Sequence, residues 1–136
     1  MRTIDLTREN FDAAIAERDV AVLHFSSERC AASRRFSATF AGAAARHTDA
    51  LFARVDTDTE ASLPAAFGVY SVPSVVILRE RIPVFSHVGM LPPDELEAII
   101  ESVRSLDMAD VRAEYAAYLE RHADVAVPAE ETLPAP

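Results

Sequence analysis

Short apolar runs that alternate with segments of helical periodicity constrain the fold of this 136-residue chain more than any other feature. Val20–Ser26, Leu51–Asp56 and Ser74–Arg79 are short and rich in β-branched or aromatic residues, which is typical of strands. Between them, apolar residues recur at the three- and four-residue spacing of helices. This alternation predicts an α/β domain in which parallel β-α-β units form a sheet covered by helices.

The complete predicted order is β-α-β-α-β-α-β-β-α. The predicted strands cover residues 2–5, 20–26, 51–56, 74–79 and 84–88, and the predicted helices cover 8–17, 30–47, 60–67 and the segment from Pro92 onward. Thr7 is a candidate N-cap of the first helix, and a tight turn over 80–83 joins the last two strands. Parallel units followed by a hairpin predict a mixed sheet of about five strands flanked by helices.

We expect the α/β domain to cover residues 1–106. A further helical pattern follows it. Asp107 can cap an additional helix over 107–122, which is either separate or one bent helix with the preceding one. Its apolar stripe consists of Val111, Tyr115, Tyr118 and Leu119. The stripe either packs on its own domain or docks a partner or a second copy, and the pattern leaves both open. Residues 123–136 contain three prolines without periodicity, which predicts a flexible acidic tail.

The charge balance and the cysteine count exclude several classes of function. The net charge of −9 argues against nucleic acid or an anionic membrane as the partner. No apolar run reaches the roughly 18–20 residues that span a bilayer, and residues 1–6 lack the apolar core of a secretory signal. A single cysteine and dispersed histidines leave no disulfide framework and no zinc site. We therefore expect a cytoplasmic protein without a bound metal.

The single cysteine, Cys30, is the main candidate for chemistry. An apolar strand leads through a short loop to a helix that begins at Cys30, where unpaired helical N–H groups favour the thiolate. Arg29 and Arg34, with Arg35 beyond them, add positive charge, and the Ser33 hydroxyl can donate to the sulfur. The alternative is a buried, inert thiol, which is common for free cysteine.

Four separated segments resemble the thioredoxin family in their order and spacing: residues 6–11, 22–33, 55–58 and 67–78. Gly89 also fits the glycine that precedes the last helix of the family. The resemblance covers about residues 2–106 and implies the thioredoxin fold. The segment 22–33 resembles the strand and Cys-Gly-Pro-Cys loop of the family. Here Ser33 replaces the resolving cysteine, and Arg29, Ala31-Ala32 and His24 replace a tryptophan, Gly-Pro and a buried aspartate.

The resemblance also implies a substrate groove beside Cys30. It places Pro73 opposite the cysteine with a cis bond to Val72, whose backbone would pair with an extended peptide. Tyr70 either flanks this groove or has a packing role. His24 is interpreted as a neutral, hydrogen-bonded core histidine, and the alternative is a proton acceptor near Cys30.

Three functions are compatible with these residues. The first is thiol-disulfide exchange through Cys30 with disulfide-containing or glutathionylated proteins, in which glutathione is a possible co-substrate and no cofactor is bound. The second is a non-catalytic module that binds proteins. The third is binding of an iron–sulfur cluster between two chains, as the Cys-x-x-Ser loop of monothiol glutaredoxins can do. The loop of this chain is similar to theirs only in spacing.

Overall fold

A computed structural model describes residues 3–122, so the predicted tail at 123–136 lies outside the described residues. The chain forms five strands and five helices over this range. They are β1 (Ile4–Asp5), α1 (Phe11–Ala16), β2 (Val20–Ser26), α2 (Ala31–Arg46), β3 (Leu51–Asp56), α3 (Ser62–Ala66), β4 (Ser74–Arg79), β5 (Ile82–Val88), α4 (Pro93–Arg104) and α5 (Met108–Arg121). The order of strands and helices agrees with the order predicted from the sequence.

The strands form one mixed sheet in the spatial order β1-β3-β2-β4-β5. β3 pairs in parallel with β1 and β2, whereas β4 pairs antiparallel with β2 and β5. The predicted mixed sheet of five strands is therefore confirmed. β2 lies at the centre and all seven of its residues are buried, so the loop that carries Cys30 follows a fully buried strand.

Helices cover both faces of the sheet. Phe36 and Phe40 of α2 pack with Leu96 and Ile100 of α4 on one face. The residues buried on the other face come from α1, α3 and the sheet, and include Phe11, Ile15, Leu63, Phe25 and Val55. The sheet is thus anchored on both sides, which fixes the ends of β2 and β4 where the candidate site lies.

Two local predictions were wrong. The first helix begins at Phe11 rather than at residue 8, because Thr7 and Asn10 bond to each other in a preceding turn: the Thr7 N–H donates to Asn10 Oδ1 at 2.8 Å, and the Asn10 N–H donates to Thr7 Oγ1 at 3.3 Å. The hairpin turn contains only Glu80 and Arg81, both with positive φ, instead of residues 80–83. β5 consequently begins at Ile82, and a bulge next to Leu78 lets it accommodate a proline.

The C-terminal helix α5 is separate from α4. The Asp107 side chain caps it by accepting from two backbone N–H groups, as predicted, and Arg112 donates to both carboxylate oxygens of Glu80 at 2.7 and 2.9 Å. The predicted stripe is only partly covered by its own domain. Val111 and Tyr115 are half-buried beside β5, whereas the outer members, Tyr118 and Leu119, are about half exposed.

Within residues 3–122, no helix combines the length and the apolarity that a membrane crossing requires.

Candidate functional site: a cysteine at a helix N-terminus

Cys30 occupies the N-cap of α2, directly beyond the end of the central strand. Its backbone is extended, its N–H donates to the Ser27 carbonyl at 3.0 Å, and its carbonyl accepts the Arg34 N–H at 3.1 Å. The side chain is partly exposed. The thiol therefore lies at the positive end of a 16-residue helix, as the sequence predicted, and it is partly open to solvent, which the sequence left undecided.

The surroundings of the sulfur lower the pKa of the Cys30 thiol. The Ser33 backbone N–H contributes most, followed by its hydroxyl, the Ala32 N–H and the charge of Arg34, while burial opposes them. The Ser33 hydroxyl is buried, yet no residue in the described part of the chain meets its oxygen with full hydrogen-bond geometry. We therefore assign most of the stabilisation of the thiolate to the backbone N–H groups of the first helical turn.

The arginines near Cys30 point in different directions. The Arg34 guanidinium donates to the Glu28 carbonyl, and its charge acts on the sulfur. Arg29 instead pairs with Asp58 at 3.1 Å, is 84% exposed, and is not among the groups that lower the pKa of Cys30. Arg35 is exposed and is not among those groups either.

A polar network that the sequence analysis missed fixes the loop before Cys30. Ser27 Oγ donates to Asp58 Oδ2 at 2.8 Å and accepts the Arg29 N–H at 3.2 Å. The hydrogen bonds that Asp58 accepts from the Ser27 hydroxyl and from the Arg29 guanidinium hold its pKa below the usual value, and the bond from Ser27 has the larger effect. Ser26 pairs with Asp56, so the ends of the parallel strands β2 and β3 lie at one edge of the sheet. The prediction of two parallel strands was therefore the sequence signal that could have indicated a contact between the residues that follow them.

The Val72–Pro73 segment lies opposite the cysteine. Its peptide bond is cis, as the resemblance implies, and the Cys30 thiol lies within 3.7 Å of the Val72 carbonyl oxygen. The Gly89 N–H donates to the Pro73 carbonyl at 2.7 Å. Gly89 has a φ of +106°, a conformation that residues with a side chain rarely adopt, so a glycine is required where this second loop approaches.

Exposed apolar side chains surround this segment. Tyr70 is 88% exposed, on the same loop as Val72, and Val88 and Met90 are exposed on either side of Gly89. Because Ser74 pairs with Val88 in the sheet, these side chains belong to one surface next to the Val72 backbone. Such a surface suits an extended peptide with apolar side chains.

His24 lies in the core, as predicted, but it is not hydrogen-bonded. Its ring packs against Phe36 and Phe40 at centroid distances of 4.9 and 5.3 Å, and neither nitrogen has a partner among the described residues. Burial, and to a smaller extent the charge of Arg54, lowers the pKa of His24 to about 4. The ring is therefore neutral at physiological pH, and no hydrogen bond within the described residues links it to Cys30.

His47, one of the dispersed histidines, lies in a buried position at the end of α2. It is 9% exposed, and its ring nitrogens contact Glu97 at 2.7 Å and Arg104 at 3.1 Å. These contacts join the end of α2 to α4. Within residues 3–122, no group of three or more His, Cys, Asp or Glu side chains is arranged to hold a metal ion.

Comparisons with known proteins agree with this geometry. The family model described as Thioredoxin matches residues 2–102. The chain is 36% identical over 110 residues to the Streptomyces coelicolor protein named "Putative thioredoxin 2", covering 81% of this chain and 82% of that protein. It is 31% identical over 98 residues to "Thioredoxin C-3" of Corynebacterium nephridii, and this match covers 71% of this chain and 68% of that protein.

A solved structure of a mutant thioredoxin from Halobacterium salinarum superimposes with a TM-score of 0.70. The sequences are 27% identical, and the match covers 76% of this chain and 91% of that chain. Family model, relatives and fold agree over the region that carries Cys30. The chain belongs to the thioredoxin family of redox proteins.

Proposed function

We propose that this protein carries out thiol-disulfide exchange by a monothiol mechanism through Cys30. The observation that carries the proposal is the combination of a partly exposed thiol with a lowered pKa and the Val72 carbonyl 3.7 Å away. The thiolate is the nucleophile in disulfide exchange, and lowering the pKa of a thiol increases the thiolate fraction at neutral pH.

The reaction begins when the Cys30 thiolate attacks one sulfur of a substrate disulfide. A bond forms between Cys30 Sγ and that sulfur, the substrate disulfide breaks, and the second substrate sulfur leaves as a thiolate. Ser33 has no sulfur with which to resolve this mixed disulfide. A thiolate from outside the chain must therefore attack it and release Cys30 in the reduced form.

The external thiol comes either from glutathione or from the substrate itself. We propose that the partners are disulfide-containing or glutathionylated proteins, with glutathione as co-substrate rather than as a bound cofactor. A reducing compartment supplies such thiols, and for this reason we propose the cytoplasm as the location. The net charge of −9 disfavours nucleic acid and anionic membranes as partners.

The substrate would bind as an extended segment along the Val72–Pro73 edge. Backbone hydrogen bonds to Val72 would hold its sulfur over Cys30, and Tyr70 would contact a neighbouring apolar side chain. His24 has no place as a proton acceptor in this scheme, because burial lowers its pKa to about 4 and its ring is not hydrogen-bonded to any site residue in the described part of the chain. The lowered pKa of Cys30 increases the thiolate fraction before the attack, so the scheme does not depend on a base.

The test is the fate of a mixed disulfide with the neutral reagent bis(2-hydroxyethyl) disulfide, followed by intact mass after the excess reagent is removed. We expect wild-type protein to keep one adduct until an external thiol is added. Ser33→Cys should release the adduct spontaneously, because the introduced thiol attacks it. Ser37→Cys, which adds a thiol one turn farther along α2, is the matched control and should keep the adduct on Cys30. A folded wild-type protein that forms no adduct contradicts the proposal.

The second candidate function is a non-catalytic binding module, favoured by the exposure of Tyr118 and Leu119 on α5. In that case the stripe docks a partner protein or a second copy, and the thiol is dispensable. Sedimentation velocity of wild type and of a Tyr118→Ser/Leu119→Ser variant tests self-association, with Ala113→Ser, also on the exposed part of α5, as control. A monomer at every concentration removes self-association from this alternative.

A bound iron–sulfur cluster, the third possibility, would be visible as absorbance in the purified protein. A colourless protein without iron excludes it.

A further inference from the structure

We propose that the exposed guanidinium of Arg29 makes the site selective for disulfides that carry a carboxylate close to the sulfur. Two sources share this chemistry: acidic peptide segments and glutathione. The inference rests on the proposed nucleophilic role of Cys30 and adds the chemical class of its substrate.

The charge around the thiol is opposite to the charge of the whole chain. Residues 28–35 contain three arginines, Arg29, Arg34 and Arg35, and one acid, Glu28, whereas the chain has a net charge of −9. All four side chains are exposed. With Asp58, which pairs with Arg29, these side chains carry three positive and two negative charges, so an incoming disulfide meets a weakly cationic surface that attracts anions.

Arg29 is held in place without being saturated. Its backbone N–H donates to Ser27 Oγ at 3.2 Å, and one terminal nitrogen of its guanidinium donates to Asp58 at 3.1 Å. Within residues 3–122, no second acceptor contacts the guanidinium, and the side chain is 84% exposed. Since an arginine has five N–H donors in a planar fork, donors remain for a second carboxylate in a defined orientation.

The two arginines next to Cys30 have different tasks. Arg34 is bonded to the Glu28 carbonyl and contributes its charge to the sulfur. Arg29 is turned towards Asp58 on the β3–α3 loop, beside the sulfur rather than at it. In the proposed complex, the group that flanks the sulfur of the substrate would lie on this side of Cys30, within reach of the Arg29 guanidinium. One exposed charge beside a charged disulfide changes the rate of its reaction with the thiolate by about threefold to tenfold at low ionic strength.

The experiment compares three disulfides that share a two-methylene spacer between each sulfur and its polar group: 3,3′-dithiodipropionate, which is anionic, cystamine, which is cationic, and the neutral bis(2-hydroxyethyl) disulfide. Second-order rate constants for adduct formation on Cys30 are measured by intact mass at low ionic strength. Each is corrected for the thiolate fraction of that variant. The proteins are wild type, Arg29→Gln, Arg29→Lys and, as a remote charge-matched control on α5, Arg121→Gln.

We expect Arg29→Gln to slow the anionic probe about threefold to tenfold, to accelerate cystamine, and to leave the neutral probe within about twofold. Arg29→Lys should restore most of the anionic rate because it keeps the charge. Equal factors for all three probes, or an equal effect of Arg121→Gln, overturn the selectivity. Failure of the folded protein to react with any probe overturns the nucleophilic role of Cys30 itself, so the two failures are distinguishable.

Two further substrates separate the sources of the carboxylate. Oxidised glutathione is compared with a peptide disulfide whose cysteine is flanked by glutamate, and a matched peptide with glutamine is the reference. Loss of rate in Arg29→Gln with the glutamate peptide assigns acidic protein segments, and loss with glutathione assigns the small thiol. Loss with neither overturns the proposal.

Discussion

The sulfur of Cys30 lies 3.7 Å from the carbonyl oxygen of Val72, the residue that precedes a cis proline. The two groups come from segments far apart in the sequence, the start of α2 and the loop before β4. Antiparallel pairing of Phe25 with Ser74 brings these two segments together at one end of the sheet. A nucleophile and a backbone edge that can pair with a peptide thus meet because β2 and β4 are neighbours.

Removal of the Ser33 hydroxyl should have a small effect on the thiol. Because the Ser33 backbone N–H contributes most to lowering the pKa of Cys30 and remains in Ser33→Ala, we expect that pKa to rise but to stay below the value of a free thiol. The variant should be as stable as wild type, or more stable by up to about 1 kcal/mol, because the buried oxygen has no partner within the described residues. Alkylation rates against pH and urea unfolding measure the two effects. A rise of the Cys30 pKa to the value of a free thiol would assign the main role to the hydroxyl.

The buried His24 should make the protein less stable in mild acid. Its pKa is about 4 in the folded state and about 6.5 in the unfolded chain, so between these values only the unfolded state binds the proton. Its contribution to stability is complete above pH 6.5 and is lost as the pH falls to about 4, by about 3 kcal/mol in total.

The variant His24→Leu isolates this effect, because it removes the titrating ring and keeps an apolar side chain. We expect the urea-derived free energy of unfolding of wild type to fall relative to His24→Leu through the pH range 6.5 to 4. Several carboxyl groups also have lowered pKa values, but their contribution is lost at lower pH and is common to both proteins. Parallel curves for the two proteins would show that His24 binds its proton equally well in both states.

The attachment of α5 should depend on its cap. Asp107 accepts from two backbone N–H groups, and Met108 is the one residue of α5 that is buried. Asp107→Ala should cost about 1 kcal/mol of helix stability. Because little of α5 is buried, we expect faster amide hydrogen exchange in α5 without a change in β2. Asp110→Ala, whose side chain does not cap the helix, is the control. Uniform acceleration across the sheet would mean that α5 is part of the cooperative core.

The sequence was sufficient for the order of strands and helices, because strand-length apolar runs and helical periodicity are local signals. The sheet was predictable because parallel units and a hairpin limit the topology. The first helix was misplaced because Thr7 and Asn10 cap a turn as readily as a helix. Local sequence does not distinguish these uses.

The site was predictable only in part. Cys30 at a helix N-terminus follows from the strand, loop and helix around it. The pairing of Arg29 with Asp58 does not, because it joins residues 29 positions apart whose contact depends on the register of β2 with β3. The predicted effect of Arg29 on the thiolate assumed that neighbours in sequence point in the same direction. The sequence also could not predict that the nitrogens of His24 lack a hydrogen-bond partner among the described residues, because this depends on the aromatic side chain of α2 that packs against the ring.

The central claim is that Cys30 is an accessible, activated thiolate in the folded protein. The most direct test is the rate of its alkylation by iodoacetamide as a function of pH, with Ser33→Ala and Arg29→Ala measured alongside. The account predicts an inflection clearly below the value of about 8.5 for a free thiol, with Arg29→Ala close to wild type. An inflection at or above that value, or no reaction until the protein is unfolded, would contradict the account and leave Cys30 as a structural residue.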